Sequence, residues 1–282
     1  MTGEDNHLQG DAAEILFAEI APALETSKRP LVLGIAGSQG SGKTTIARKL
    51  AARLAEQGRT TAILSIDDLY YDRARRARLA EKAHPLFITR GVPGTHDVSL
   101  GIKVLRALRG KRSVMLPRFD KGTDSRKPRS EWEKAPRPVD LVIFEGWCVG
   151  ATPEPKSMLR EPINDLERTE DADGVWRRRV NAALAEDYRR LFKLIDRFAF
   201  LRAPSFEIVK AWRTQQEREL AATAPPDRLT HLMTDEQISR FIQHYERITR
   251  HMLRETPGRA DLTLQLNEDR RVTDVIRPSR RK

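Results

Sequence analysis

Cysteine is almost missing: Cys148 is the single one in 282 residues. That excludes an internal disulfide and a zinc site built from several thiolates, and it leads us to expect a reducing, cytoplasmic setting. Long apolar runs are missing too. The longest, LVLGIAG at 31–37 and LVIF at 141–144, fall well short of the ~20 residues of a spanning helix. The opening MTGEDNHLQG has neither the basic start nor the apolar middle of a secretory signal, so neither export nor membrane association is expected. No internal repeat is visible. What is present is a hydrophobic fraction of 39%, enough for a real core, and a formal charge of +11 from 51 Lys+Arg against 40 Asp+Glu. Such a charge attracts nucleic acid, anionic surfaces or small phosphorylated and carboxylated ligands without choosing among them.

Short β-rich runs alternate with longer helical patterns, the signature of an α/β sheet. Strands are expected at 31–36, 61–66, 113–116, 140–144 and 198–201. A first helix carries Ile46, Leu50 and Leu54 on one face, and a later one Trp176, Val180, Leu184, Tyr188, Leu191 and Ile195. Thr234 with Gln237 three residues on forms a capping box ahead of a helix over about 235–254. Residues 1–29 are expected to form a helical extension, with a helix near 12–24, ahead of one domain over 30–275. Residues 276–282 read as a disordered basic tail. Two polar, proline-bearing stretches, 117–138 and 151–174, are expected as mobile loops over the site.

Gly37-Ser38-Gln39-Gly40-Ser41-Gly42-Lys43-Thr44 matches the G-x-x-x-x-G-K-[ST] pattern in full, directly after an apolar strand and directly before an amphipathic helix. Glycines let the main chain curl with its N–H groups inward, and the following helix adds its positive end. In this pattern Lys43 reaches the β- and γ-phosphates and the Thr44 hydroxyl takes Mg2+, so residues 37–45, including Thr45, are expected to bind ATP or GTP. The N-K-x-D motif of switch GTPases is absent, and the one D-x-x-G string, Asp171 to Gly174, lies in an acidic loop.

Ligands of open α/β sheets gather beyond the carboxyl ends of the strands. There TTAILSI runs into Asp67 and Asp68, and DLVIF runs into Glu145. A carboxylate beside the γ-phosphate suits the task of orienting an alcohol and taking its proton, which we expect of Asp67, while Glu145 is expected at the metal with Thr44. Asp67 and Asp68 read equally as a helix cap or turn pair, and Glu145 as a solvated strand end.

Ser65-Ile66-Asp67-Asp68-Leu69-Tyr70 resembles the S-x-D-x-F-Y segment of the uridine kinase, phosphoribulokinase and pantothenate kinase superfamily. Within it, four further segments are similar to the D-glycerate 3-kinases: 90–97 (RGVPGTHD), 145–150 (EGWCVG), 211–217 (AWRTQQE) and 244–247 (HYER). The likeness spans roughly residues 30–270 and implies a P-loop NTPase kinase fold. That fold is a mostly parallel five-stranded sheet with helices on both faces and an arginine-bearing lid. It also implies ATP and Mg2+ as cofactors, a small acidic acceptor, most of all D-glycerate, and the acceptor-activating aspartate at Asp67. A pantothenate, nucleoside or sugar-phosphate acceptor is the alternative.

For the lid, Arg213 shares a helix face with Phe206 and Val209 and reads either as a phosphate contact or as a partner of Glu217, with Arg202 a second candidate. On the acceptor side we expect Asp68, Tyr70, Arg90, His96, Asp97, Arg118 and Lys121, with Lys121 and Arg90 foremost for a carboxylate. Asp97 reads also as a helix cap and His96 as a partner of a loop carbonyl. Cys148 reads as a small apolar filler. The chain departs from the best-known members in 151–174 and in the length of ELAATAPPDRLTHLMTDEQ, both on the acceptor side. A nucleic-acid-stimulated ATPase is the rival from another class, suggested by Arg73-Ala74-Arg75-Arg76 and Arg177-Arg178-Arg179, which read more simply as solvated helix faces. No obligatory nucleic acid is expected, and a monomer is favoured.

Overall fold

The structure, a computed structural model, describes residues 10–110, 112–223 and 233–278. Its centre is a six-stranded sheet made of β1 (Leu31–Gly37), β2 (Thr61–Ser65), β7 (Leu141–Gly146), β8 (Arg197–Arg202), β9 (Leu262–Leu266) and β10 (Val272–Ile276). Its order is β10-β9-β8-β1-β7-β2. Five strands run parallel, and β10 closes one edge antiparallel to β9. β1 and β7 are apolar almost throughout because both sheet faces are covered, the reason a central parallel strand loses the alternation of a half-exposed one.

The pleat divides these strands between two cores. Val32, Val142, Phe144, Phe198 and Phe200 face α4 (Val98–Leu108), α6 (Val175–Ala183), α7 (Arg189–Phe192) and α9 (Asp235–Glu255). Leu33, Ile35, Ile143 and Leu201 face α1 (Ala12–Thr26), α2 (Lys43–Ala55) and α8 (Phe206–Thr223). α1 is therefore more than an appendage: Leu16, Ile20 and Leu24 are buried with Leu50 and Leu54 of α2, and Asp11, its N-cap, pairs with Lys49 at 2.7 Å. Residues 1–9 lie outside the described residues.

The expected capping box is present at α9, where Thr234 and Gln237 exchange bonds. Other expectations need correction. Residues 113–116 do not enter the main sheet: only Met115–Leu116 (β3) is strand, paired with Glu133–Lys134 (β6). The fifth parallel strand of the main sheet is β9 instead. The helix expected through Ile195 is broken by one π-turn at Leu184–Tyr188 between α6 and α7. Of the tail, Ile276 ends β10 and Arg277 pairs with Glu19 of α1 at 2.9 Å, while 279–282 lie outside the described residues.

The two stretches expected as mobile loops differ. Residues 117–138 form a small ordered flap in which β4 (Phe119–Asp120) pairs with β5 (Ser125–Arg126) and β6 pairs back onto β3, just ahead of the stretch. Residues 151–174 hold a 3-10 turn at Lys156–Leu159 and α5 (Asp165–Glu170), and they pack away from the cleft described below. They are fixed by Arg247 of α9, whose buried guanidinium bonds Glu167 at 2.6 and 2.7 Å, Glu154 at 3.1 Å and the carbonyls of Met158 and Glu161 at 2.8 Å. In the two arginine clusters Arg73, Arg75, Arg178 and Arg179 are exposed, as solvated helix faces would be, while Arg76 and Arg177 are buried. Arg76 is paired with Asp124, Arg75 lies over the Tyr71 ring, and Arg177 is paired with Asp171.

Candidate active site

β1 ends at Gly37, and the chain curls through Gly40 and Gly42, both at positive φ (76° and 82°), before α2 begins at Lys43. Gly42 stands at the N-cap of α2 and offers no side-chain cap, so the N–H groups of the first helical turn remain for a ligand. A Cβ on Gly40 would meet Trp212 Cβ at 2.6 Å. That contact reveals a support the sequence did not announce. Trp212 of α8 backs the loop, Arg270 of the β9–β10 turn stacks over Trp212 at 5.2 Å, and Arg270 donates to the Gly40 carbonyl at 2.6 Å. Ser38 and Ser41 are buried in the loop's frame, Lys43 reaches back to the Ser38 carbonyl at 3.5 Å, and Thr45 is exposed on the first turn of α2.

In front of the loop opens a cleft of about 820 Å³. Gln39, Gly40, Lys43 and Thr44 line its loop side, and Asp67, Asp68, Tyr70, Arg90, Arg118 and Lys121 line the opposite wall. Seven Lys and Arg side chains border it against four carboxylates, a balance that favours an anionic occupant. The Thr44 hydroxyl donates to Glu145 Oε1 at 3.1 Å, and Glu145, at the end of β7, is 2% exposed, its Oε2 buried and without a hydrogen-bond partner among the described residues. A buried carboxylate oxygen beside a hydroxyl is a donor set suited to a hard divalent cation.

Asp67 follows β2 on a 3-10 turn (Ile66–Leu69) capped by the Ser65 hydroxyl, so the turn role expected as an alternative coexists with its place in the cleft. Its Oδ1 accepts from the Tyr70 hydroxyl and its Oδ2 from Lys121 Nζ, both at 2.7 Å. Burial raises its pKa, but Lys121, Tyr70 and Lys43 outweigh that and hold the carboxyl below its ordinary value. Asp68 moves the other way, raised chiefly by burial. It accepts from Phe119 N at 3.1 Å and Arg118 at 3.3 Å, and thereby ties the flap to the end of β2.

His96, Asp97 and Arg202 do not line the cleft. His96 is buried, stacks on Tyr70 at 4.6 Å and bonds the Tyr188 hydroxyl through Nδ1. Burial pushes its pKa down to about 3, so it is neutral near pH 7 and steadies Tyr70 from behind. Asp97 caps α4 through Leu100 N at 3.0 Å and pairs with Arg126. Arg202 is held between the Leu253 carbonyl and Gln265. Arg213 does line the cleft, over Phe241 at 5.8 Å, and it pairs with Glu217 at 2.5 Å as the second of its two readings had it. Arg90 pairs with Asp124 at 2.6 Å. Cys148 is a buried filler whose thiol is raised by burial.

The segments that are distant in sequence meet at Gly91. Its φ is 131°, its carbonyl accepts from Trp147 Nε1 at 3.0 Å, and Tyr245 donates to the Arg90 carbonyl at 2.9 Å. A Cβ there would lie 2.1 Å from the Tyr245 hydroxyl. Arg90, Trp147 and Tyr245, from three separate segments, thus meet in one part of the cleft wall.

A model of the phosphoribulokinase / uridine kinase family matches residues 32–152. The chain is 37% identical to the uncharacterized kinase mug58 of Schizosaccharomyces pombe, over 82% of this chain and 86% of that protein. It is 28% identical to the chloroplastic D-glycerate 3-kinase of Arabidopsis thaliana, over 77% of this chain and 46% of that one. The solved D-glycerate 3-kinase of Cryptococcus neoformans superposes with a TM-score of 0.77 at 25% identity, over 95% of this chain and all of that one. No helix among the described residues is long and apolar enough to cross a membrane. The chain belongs to the phosphoribulokinase / uridine kinase family, with D-glycerate 3-kinases among its relatives, and is a nucleotide-using P-loop kinase that phosphorylates an alcohol group.

Proposed function

We propose that this kinase transfers the γ-phosphoryl group of ATP, in the presence of Mg2+, to a hydroxyl of a small carboxylated metabolite, with D-glycerate the first candidate. The observation that carries the reading is Asp67: an ionised carboxylate facing the phosphate loop across a cleft rich in arginine and lysine. The main-chain N–H groups of residues 37–45 and the positive end of α2 hold the phosphates, and Lys43 meets the charge that grows as the phosphoryl group leaves. Asp67 orients the acceptor hydroxyl and takes its proton as the new P–O bond forms and the bond to ADP breaks. Tyr70 fixes the angle of that carboxylate. Thr44 and Glu145 would hold Mg2+, which when bound supplies charge neutralisation at the phosphates. Arg213 stands on α8 as the lid arginine, and Arg90, Arg118 and Lys121 receive the acceptor's carboxylate.

The buried thiol of Cys148 is compatible with the cytoplasm, where we place the protein.

The test is a panel of acceptors offered with ATP and Mg2+ while ADP is followed. D-glycerate is expected to give at least about tenfold higher kcat/KM than pantothenate, uridine or a sugar phosphate, the discrimination expected when one carboxylate is matched to fixed cations. Preference for one of the others would overturn the glycerate assignment and leave the kinase chemistry in place.

A further inference from the structure

Lys121 lies in the turn between β4 and β5, with its side chain 62% exposed, yet its ammonium rests 2.7 Å from Asp67 Oδ2. The other oxygen of Asp67 carries the Tyr70 hydroxyl. Both oxygens therefore hold a strong donor before any acceptor arrives, but the two donors are not equivalent. Tyr70 is buried and pinned by the His96 stack. Lys121 is a long chain whose exposed ammonium, unlike the buried Tyr70 hydroxyl, can swing to another carboxylate while staying solvated, although Asp67 itself is largely buried. The flap that bears it is fixed at both ends, by Asp68 at Phe119 N and Arg118, and by Arg126 at the Leu69 and Tyr70 carbonyls. Its reach is thus limited to the space over Asp67.

We propose that Lys121 is a removable cover on Asp67 that selects for anionic acceptors. A molecule carrying a carboxylate beside its hydroxyl offers Lys121 a new partner and so exposes Asp67 Oδ2 to its own alcohol. Water and neutral alcohols have no group to exchange and meet a base that is already engaged. The same contact restrains transfer of the phosphoryl group to water while no acceptor is bound. This rests on Asp67 acting as the base in the proposed function, but not on the acceptor being glycerate.

The experiment compares wild type, Lys121→Met and Lys121→Arg in the full chain. It measures ATP hydrolysis without acceptor, and kcat/KM for D-glycerate and for the neutral triol glycerol. In Lys121→Met, acceptor-free hydrolysis is expected to rise about five- to tenfold and the preference for glycerate over glycerol to fall by a similar factor, with Lys121→Arg close to wild type. Unchanged acceptor-free hydrolysis in Lys121→Met, with only a higher KM for glycerate, would reduce Lys121 to an ordinary binding residue and overturn the cover. If wild type ignores glycerate, the acceptor assignment falls, and the hydrolysis comparison still decides the role of Lys121.

Discussion

Asp67→Asn is expected to lower turnover about 10²- to 10⁴-fold, the range lost when a positioned general base is removed. Nucleotide affinity should stay within about threefold of wild type, since the phosphate loop is built from other residues. The substitution keeps the shape of the side chain and an oxygen that can still accept from Tyr70, so the turn at Ile66–Leu69 should persist. What disappears is a group able to take a proton. Measuring turnover and ATP binding separately divides the two tasks. Turnover near that of wild type would show that another group activates the acceptor.

Arg247→Met is expected to destabilise the fold by about 3–5 kcal/mol, because it strands buried carboxylates rather than merely removing a surface pair. Glu167 is fully buried and Glu154 nearly so, and both depend on this guanidinium, as do two carbonyls of the 151–174 stretch. The contrast is Arg240→Met on the same helix. Arg240 and its partner Glu170 are 52% and 40% exposed, so its loss should cost under about 1 kcal/mol. Denaturant midpoints of the two variants check this, and equal effects would refute the buried network as the tie that holds 151–174.

The same arginine shows what a sequence can and cannot disclose. The phosphate loop was legible because a strand, a glycine curl and a helix must follow one another without interruption, and Asp67, Asp68 and Glu145 were legible as acids at strand ends. β9 was not, although LTLQL is a reasonable strand, because it follows directly on α9 and its pairing with β8 is a contact over 63 residues. Met115–Leu116 carried a similar local signal and joined a two-residue pair instead.

Among the site residues, Arg90, Arg118, Lys121 and Arg213 reached the cleft, while His96, Asp97 and Arg202 did not. A buried histidine stacked on a tyrosine and an aspartate capping a helix leave no one-residue mark that separates them from ligand contacts. Nor did 3.6-residue periodicity mark Trp212 and Arg270, whose task is to back Gly40 from two different elements. Arg247 was visible only as part of a likeness at 244–247, and its role became clear once 151–174 was seen folded around it.

The account rests on a ring of main-chain amides between Gly37 and Thr44 that grips a triphosphate. Calorimetric titration of the full chain with ATP in the presence of Mg2+ tests it most directly. One saturable site per chain is expected, with a Kd in the ~1 µM to 1 mM range usual for such enzymes. Failure to take up any purine triphosphate when Mg2+ is supplied would contradict it.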